Sequence, residues 1–282
     1  MTRKLTLLLA ALLCILPAGA RKPDNKTRPN GLNVMSFNIR TANAKDGTNS
    51  WELRADAVLA MIKDQAPDLM GLQEALARQV EPLAYFLDGY KWVGVGREDG
   101  KKGGEIMAVL YNKKTVSLLK WGTFWLSETP EKPSKGWDAE YLRTATWALM
   151  KDKKSGRKFF FVNTHLDNTG AEAREKGLSL ILDKVAAMNP DGLPLVLTGD
   201  FNMTAADPAM APAKAALQNC RTIAAKSDDL DTCHDWGRHF SAIDFIWETG
   251  FGSCTEYETV TREYLGRAYV SDHYPIKAKL MF

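Results

Sequence analysis

The chain is built from short apolar runs that stop abruptly at residues able to do chemistry, and residues 193–202, LPLVLTGDFN, show the pattern. Alternate side chains of a strand point the same way, so Asp200 and Asn202 emerge together where such a strand ends. Gly, Asp and Asn also serve ordinary turns, so one run decides nothing. The pattern recurs, however. LNVMSFNIR delivers Asn38, DLMGLQEAL reaches Glu74, and KFFFVNTHL reaches His165 with Asp167 close behind. SAIDFIW contains Asp244, and SDHYP presents Asp272 and His273.

Between these runs, WELRADAVLAMIKDQAP, closed by Pro67, and AREKGLSLILDKVAAM carry apolar residues at helical spacing. Shorter helical stretches are expected around 79–87 and before Leu217. YKWVGVG, CTEYETVTREY and YPIKAKLMF read as strands. RTATWALM and KFFFVNTHL form a hairpin through KDKKSGR, and GGEIMAVLYN with VSLLKWGTFWL reads as a second strand pair. Hairpins and helical crossovers together predict a mixed α/β layering and not a strict βαβ repeat. With 282 residues, 45% hydrophobic and 25% charged, and no Pro/Gly/Ser linker, the chain has material for one large domain, placed at 31–282.

The first twenty residues are read apart. Arg3 and Lys4 precede an apolar run from Leu5 to Leu16 and the small-residue site Ala18-Gly19-Ala20, the pattern of an export signal cut after Ala20. The run is shorter than the roughly 20 residues a membrane span needs, so no transmembrane segment is expected. Cys14 follows Leu13, where a lipoprotein site wants a small residue, and is assigned to the removed peptide. Residues 21–30 read as a polar leader. Without Arg3 and Lys4 the formal charge falls from +3 to +1, too near neutrality to predict nucleic-acid binding by net field. In an exported chain, Cys220 is expected to pair with Cys233 or Cys254, leaving one thiol.

The polar set suits phosphoester hydrolysis. Glu74 and Asp272 can hold a magnesium ion, which takes few protein oxygens. Asp200 can orient and deprotonate water. Asp244 can fix His273 to face a phosphate, while Asn38, Asn202 and His165 supply hydrogen bonds to the charge that builds in the transition state.

SFNIR, GLQE, NTHLD, GDFN, IDFI and SDHYP, in this order, resemble the endonuclease/exonuclease/phosphatase superfamily, which includes DNase I and the inositol polyphosphate phosphatases. The resemblance runs from about Leu32 to Phe282. It implies a DNase I-like four-layer sandwich, two packed mixed β-sheets flanked by helices. It further implies a Mg2+ or Mn2+ ion and direct attack by water. By the matching motifs, Glu74 with Asp272 and Asn38 beside it would serve the metal. Asp200, Asn202, His273, Asp244 and His165 would be catalytic, and Asn38, Arg143 and Asp167 would contact substrate. A closer likeness, to secreted bacterial and fungal members, rests on GVGREDGKKGGEIMAVLYN, GTFWLSETPEKPSKGWDAE and RTATWALM and points to Glu105, Trp125, Trp137 and Arg143 as pocket residues.

The expectation is a secreted, monomeric phosphoesterase acting on a small or lipid-linked phosphoester. Phe124 and Trp125 are the candidates for an apolar rim toward lipid. A secreted nuclease of the same superfamily is the alternative. A non-catalytic binding protein is disfavoured because no residue of the set is substituted, and a glycan-processing enzyme leaves the Asn and His residues without a role.

Overall fold

The computed structural model describes residues 31–282; the export signal and leader expected before them lie outside the described residues. In chain order the elements are β1 (Gly31–Asn38), α1 (Trp51–Gln65), β2 (Leu69–Ala75), α2 (Ala77–Phe86), β3 (Tyr90–Val93), β4 (Ile106–Asn112), β5 (Val116–Trp125), β6 (Thr144–Asp152), β7 (Lys158–His165), α3 (Ala171–Met188), β8 (Leu195–Asp200), α4 (Ala211–Ala216), β9 (Gln218–Asn219), α5 (Cys220–Ile223), β10 (Asp244–Thr249), β11 (Ser253–Thr259) and β12 (Ile276–Met281). They build two six-stranded sheets, ordered β11-β12-β1-β2-β4-β3 and β5-β6-β7-β8-β10-β9. Each sheet mixes parallel and antiparallel neighbours: β1 runs parallel to β2 and antiparallel to β12, β7 parallel to β8 and antiparallel to β6.

Strand alternation sorts the side chains into layers. Val58, Met61 and Ile62 of α1 and Val80 and Leu83 of α2 pack on Met35, Phe37, Met70 and Leu72, covering the outer face of the first sheet. Leu178, Ile181 and Val185 of α3 cover Phe160, Val162, Leu195 and Leu197 on the second. Between the sheets, Leu32, Val34 and Leu69 meet Phe159, Phe161, Val196 and Ile246. This is the expected four-layer sandwich, helix on sheet on sheet on helix.

Followed along the strands, the inward rows change character. On β1 the row is Leu32, Val34, Ser36, Asn38; on β7 it is Phe159, Phe161, Asn163, His165; on β8, Val196, Thr198, Asp200. Where they turn polar they bond across the gap: Gln73 Nε2 donates to Ser36 Oγ at 3.1 Å and to Asn163 Oδ1 at 2.7 Å, and Thr198 Oγ1 to Asn163 Oδ1 at 3.2 Å. Gly71 is required here, because a Cβ would stand 2.3 Å from Asn163 Oδ1 and 2.4 Å from Thr198 Oγ1.

Two expectations fail. GGEIMAVLYN and VSLLKWGTFWL are not paired: β4 lies between β2 and β3 in one sheet, and β5 is the edge partner of β6 in the other. The short connection over 113–115 carries the chain between sheets. Nor is there a disulfide among the described residues; Cys220, Cys233 and Cys254 are free thiols, with Cys254 Sγ donating to the Cys220 carbonyl oxygen at 3.8 Å. Among the described residues no helix is long and apolar enough to cross a membrane.

Candidate active site

The polar ends of the inward rows open into a cavity of about 410 Å³ lined by Glu74, His165, Asp200, Asn202, Asp272 and His273, among others. Parity delivers His165 and Asp200 to it, with Asn38 and Asp244 behind them: the four continue the inward rows of β7, β8, β1 and β10. Glu74 does not. By alternation it would face α1 and α2, but the pairing of β2 with β4 slips between Leu72 and Ala75, and Glu74 adopts a left-handed backbone, φ 58°. Arg40 and Asn202 share that conformation, φ 57° and 51°. Three non-glycine residues held at positive φ around one cavity is local strain concentrated at a site.

Asp200 sits at the centre, buried. Asn38 Nδ2 donates to its Oδ2 at 3.0 Å and the Asn202 backbone N–H to its Oδ1 at 2.9 Å. His165 Nε2 and His273 Nε2 stand 3.5 and 3.8 Å from Asp200 Oδ2. Burial, reinforced by the charge of Asp244, outweighs these partners and pushes the Asp200 carboxyl up to about 7. A carboxylate so placed is matched to taking a proton near neutrality.

The two histidines differ in charge. Burial, then the guanidiniums of Arg143 and Arg97, hold His165 well below its usual range, so its approach to Asp200 is not an ion pair. Its neutral Nε2 faces Asn202 Nδ2 at 2.9 Å, and that amide also donates to the Leu166 carbonyl oxygen. For His273, burial alone would lower the pKa, but the charge and hydrogen bond of Asp244, joined by the Cys233 side chain and Asp200, raise it well above the ordinary value. His273 Nδ1 lies 2.8 Å from Asp244 Oδ2, so the ring is a held imidazolium with Nε2 toward the cavity. Thr232, which the sequence reading missed, donates to the same Asp244 oxygen at 2.6 Å.

Asp200, Asp244 and His273 offer ligand atoms within 4.8 Å of one another. In this trio the Asp244 oxygen is engaged by the imidazole, which defines a proton-holding dyad. The hard-oxygen pair expected to serve a cation is Glu74 and Asp272. Burial raises the Asp272 carboxyl, His273 lowers it, and the Glu74 charge raises it again, a mutual repulsion that a divalent ion relieves. Arg40 Nη1 offsets part of it at 3.3 Å from Asp272 Oδ2. The donor set therefore fits a hard divalent ion. Asn38 is fully buried and bridges the two halves, donating to Glu74 Oε1 at 3.1 Å as well as to Asp200. Its Nδ2 is thus held between the two carboxylates, while its Oδ1 accepts from the Arg40 backbone N–H at 3.0 Å.

Asp167 is not among the residues lining the cavity. It is 1% exposed, and its two oxygens accept from the backbone N–H groups of Glu140, Tyr141, Thr169 and Gly170 and from Arg143 Nε. It shapes the 140–143 segment and aims Arg143, which does line the cavity along with Glu105. Trp125 is a supporting residue, its Nε1 donating to the Arg97 carbonyl oxygen at 2.7 Å. Trp137 lies outside the cavity lining, under Lys176, whose Nζ is 5.9 Å from its ring. Its place on the wall is taken by Tyr141, with Arg97, Arg40 and Asn168, all missed because loop residues carry no periodicity. Arg54 was missed as well. Buried in α1, it donates to the carbonyl oxygens of Ile39, Arg40 and Val270, tying β1's exit to the segment bearing Asp272, and burial lowers it to about 10.

A two-sheet sandwich with this constellation at one end defines a DNase I-like phosphoric ester hydrolase, and the comparisons with known proteins agree. The profile described as Endonuclease/Exonuclease/phosphatase family matches residues 35–273. A solved endonuclease/exonuclease/phosphatase from Bacteroides vulgatus is 37% identical with a TM-score of 0.84, covering 89% of this chain and 99% of its own. A mannosyl-6-phosphatase from Bacteroides thetaiotaomicron is 33% identical with a TM-score of 0.84, covering 89% and 100%. An uncharacterized protein of Acanthamoeba polyphaga mimivirus is 26% identical over 159 residues, 54% of this chain and 59% of that one, so the match spans under two thirds of that relative. The chain belongs to the Endonuclease/Exonuclease/phosphatase family.

Proposed function

We propose that the protein is an exported, divalent-metal-dependent phosphoesterase that releases phosphate from a small phosphoester by direct attack of water. The observation that carries this reading is Asp200, raised to about 7 and flanked by one neutral and one charged imidazole in a cavity large enough for a small ligand. Asp200 takes the proton of the attacking water. His273, kept charged and oriented by Asp244, donates from Nε2 to a phosphoryl oxygen, and Asn202 and His165 border the same oxygens. Glu74 and Asp272 would hold the Mg2+ or Mn2+ ion, which supplies Lewis-acid polarisation of the phosphoryl group when bound.

The geometry also ranks the substrates. Phe124 and Trp125, offered above as an apolar rim toward lipid, are each 6% exposed and belong to the interior, so the lipid-linked branch loses its support. A nucleic acid calls for arginines free to track several phosphates. Here each cavity arginine already has an acidic partner: Arg40 with Asp46 and Asp272, Arg97 with Glu105, Arg143 with Asp167. A compact substrate with one phosphate fits better, and the 33% identical mannosyl-6-phosphatase supports the monoester reading.

The test is turnover of a phosphomonoester, a phosphodiester, plasmid DNA and sphingomyelin in magnesium or manganese, with and without EDTA. The monoester should be hydrolysed fastest and the rate abolished by chelator. Undiminished turnover in EDTA would sink the reading. Export is checked by N-terminal sequencing of protein from the culture fluid or periplasm, which should begin at Arg21.

A further inference from the structure

Beyond the reacting centre the cavity has a second wall, and it is built with care. Arg97 Nη1 bonds Glu105 Oε2 at 2.7 Å, while Trp125 Nε1 holds the Arg97 carbonyl from behind. Arg143 is fixed by Asp167 through Nε and by Asn168 Oδ1 at 2.8 Å through Nη2. Over both guanidiniums lies the ring of Tyr141, with its centroid 5.3 Å from Arg97 Cζ and 5.4 Å from Arg143 Cζ. Tyr141 nevertheless stays 43% exposed and lines the cavity.

Two features of this wall select a ligand. Its charges cancel in pairs, Arg97 against Glu105 and Arg143 against Asp167, so it offers no net attraction to a second anion. Yet it presents donors and an acceptor side by side, the arrangement that engages hydroxyl groups, which donate and accept at once. An aromatic face beside them packs on the apolar face of a saturated ring. Resting on the phosphoesterase reading above, we infer that Tyr141 with the Arg97–Glu105 pair forms a polyol subsite that holds the leaving group of a phosphorylated sugar. Its specificity is for neutral, hydroxyl-rich groups, over a bare aryl group or a nucleoside.

The experiment compares kcat/KM for mannose phosphate, phenyl phosphate and adenosine monophosphate in the wild type, Tyr141→Ala, Tyr141→Phe and Glu105→Gln, each checked for folding by thermal melt. The wild type should favour mannose phosphate. The ratio of its kcat/KM to that for phenyl phosphate should fall about tenfold in Tyr141→Ala and in Glu105→Gln, and hold in Tyr141→Phe, which keeps the ring face. A ratio that moves in neither variant, or a wild type that prefers adenosine monophosphate or phenyl phosphate, overturns the subsite while leaving the hydrolase reading standing. Absence of chelator-sensitive turnover for all three substrates would overturn both.

Discussion

The two ends of the space between the sheets are made by the same strands and the same inward-facing rows, and they follow opposite rules. At one end Leu32, Val34, Phe159, Phe161, Val196 and Ile246 are buried against one another, and removal from water is the whole of their contribution. At the other, Asn38, Asp200, Asp244 and His273 are almost as buried, at 0%, 2%, 3% and 6% exposure, but every one is polar. Burying such groups is unfavourable unless each finds partners, and here the compensation is incomplete: Asp200 is driven up to about 7 and the Asp244 Oδ1 atom has no partner among the described residues. A four-residue shift along one strand, from Phe161 to His165, passes from groups that stabilise the fold to groups that the fold must hold in place. The apolar end is what makes the polar end tolerable.

That contrast is broken most severely at Asp200. Asp200→Asn should lower kcat by about 10³-fold, the scale of a lost general base. The same substitution should not destabilise the protein. A carboxyl raised in the folded state loses stability as pH rises from its unfolded value near 4 toward about 7, because ionisation is harder in the fold than in the open chain. The asparagine variant lacks that contribution, so in metal-free buffer its melting temperature should fall less than the wild type's across this interval. Parallel pH dependence in the two proteins would contradict the assignment of strain to this carboxyl.

The mirror experiment lies four residues back from His165. Phe161→Ala removes a fully buried ring from between the sheets and should cost about 4 kcal/mol in denaturant unfolding. The kcat of the fraction that remains folded should stay near wild type. If Phe161→Ala instead lowers kcat of the folded protein as strongly as it lowers stability, the two ends are not separable.

The same division explains what the sequence disclosed. Short apolar runs fixed the strands by alternation, and their polar ends named His165, Asp200 and Asp244 because parity carries a side chain to a known face, while His273, outside the strands, was named by its motif. Parity could not bring Glu74 inward, since that turn depends on a bulge and a positive φ that no local spacing encodes. Nor could it tell that β4 and β5, three residues apart, belong to different sheets, because a short polar link serves a hairpin or a crossing equally well. Asp167 was taken for a substrate contact, whereas three of its five donors, the Glu140 and Tyr141 backbone N–H groups and Arg143 Nε, come from a segment that meets it only in the folded chain. Tyr141, Arg97 and Thr232 lie outside the strands, where periodicity has nothing to say.

Thr232 offers the finest division between holding and reacting. Its hydroxyl donates to Asp244 Oδ2 at 2.6 Å and accepts from the backbone N–H groups of Ile243 and Asp244 at 3.1 and 3.0 Å. It is not part of the cavity lining, yet it sets the oxygen on which His273 depends. Thr232→Val keeps the shape and deletes the polar atom, so the Asp244 carboxylate retains His273 as its partner but loses the contact that fixes its angle. The expected result is a loss of about 1–2 kcal/mol in stability and a fall in kcat of about tenfold, with KM little changed. Thr232→Ser should restore both, because the hydroxyl and not the methyl group carries the effect. Full activity in Thr232→Val would show that Asp244 and His273 orient each other unaided, and the border between the two ends would then fall one hydrogen bond nearer the phosphate.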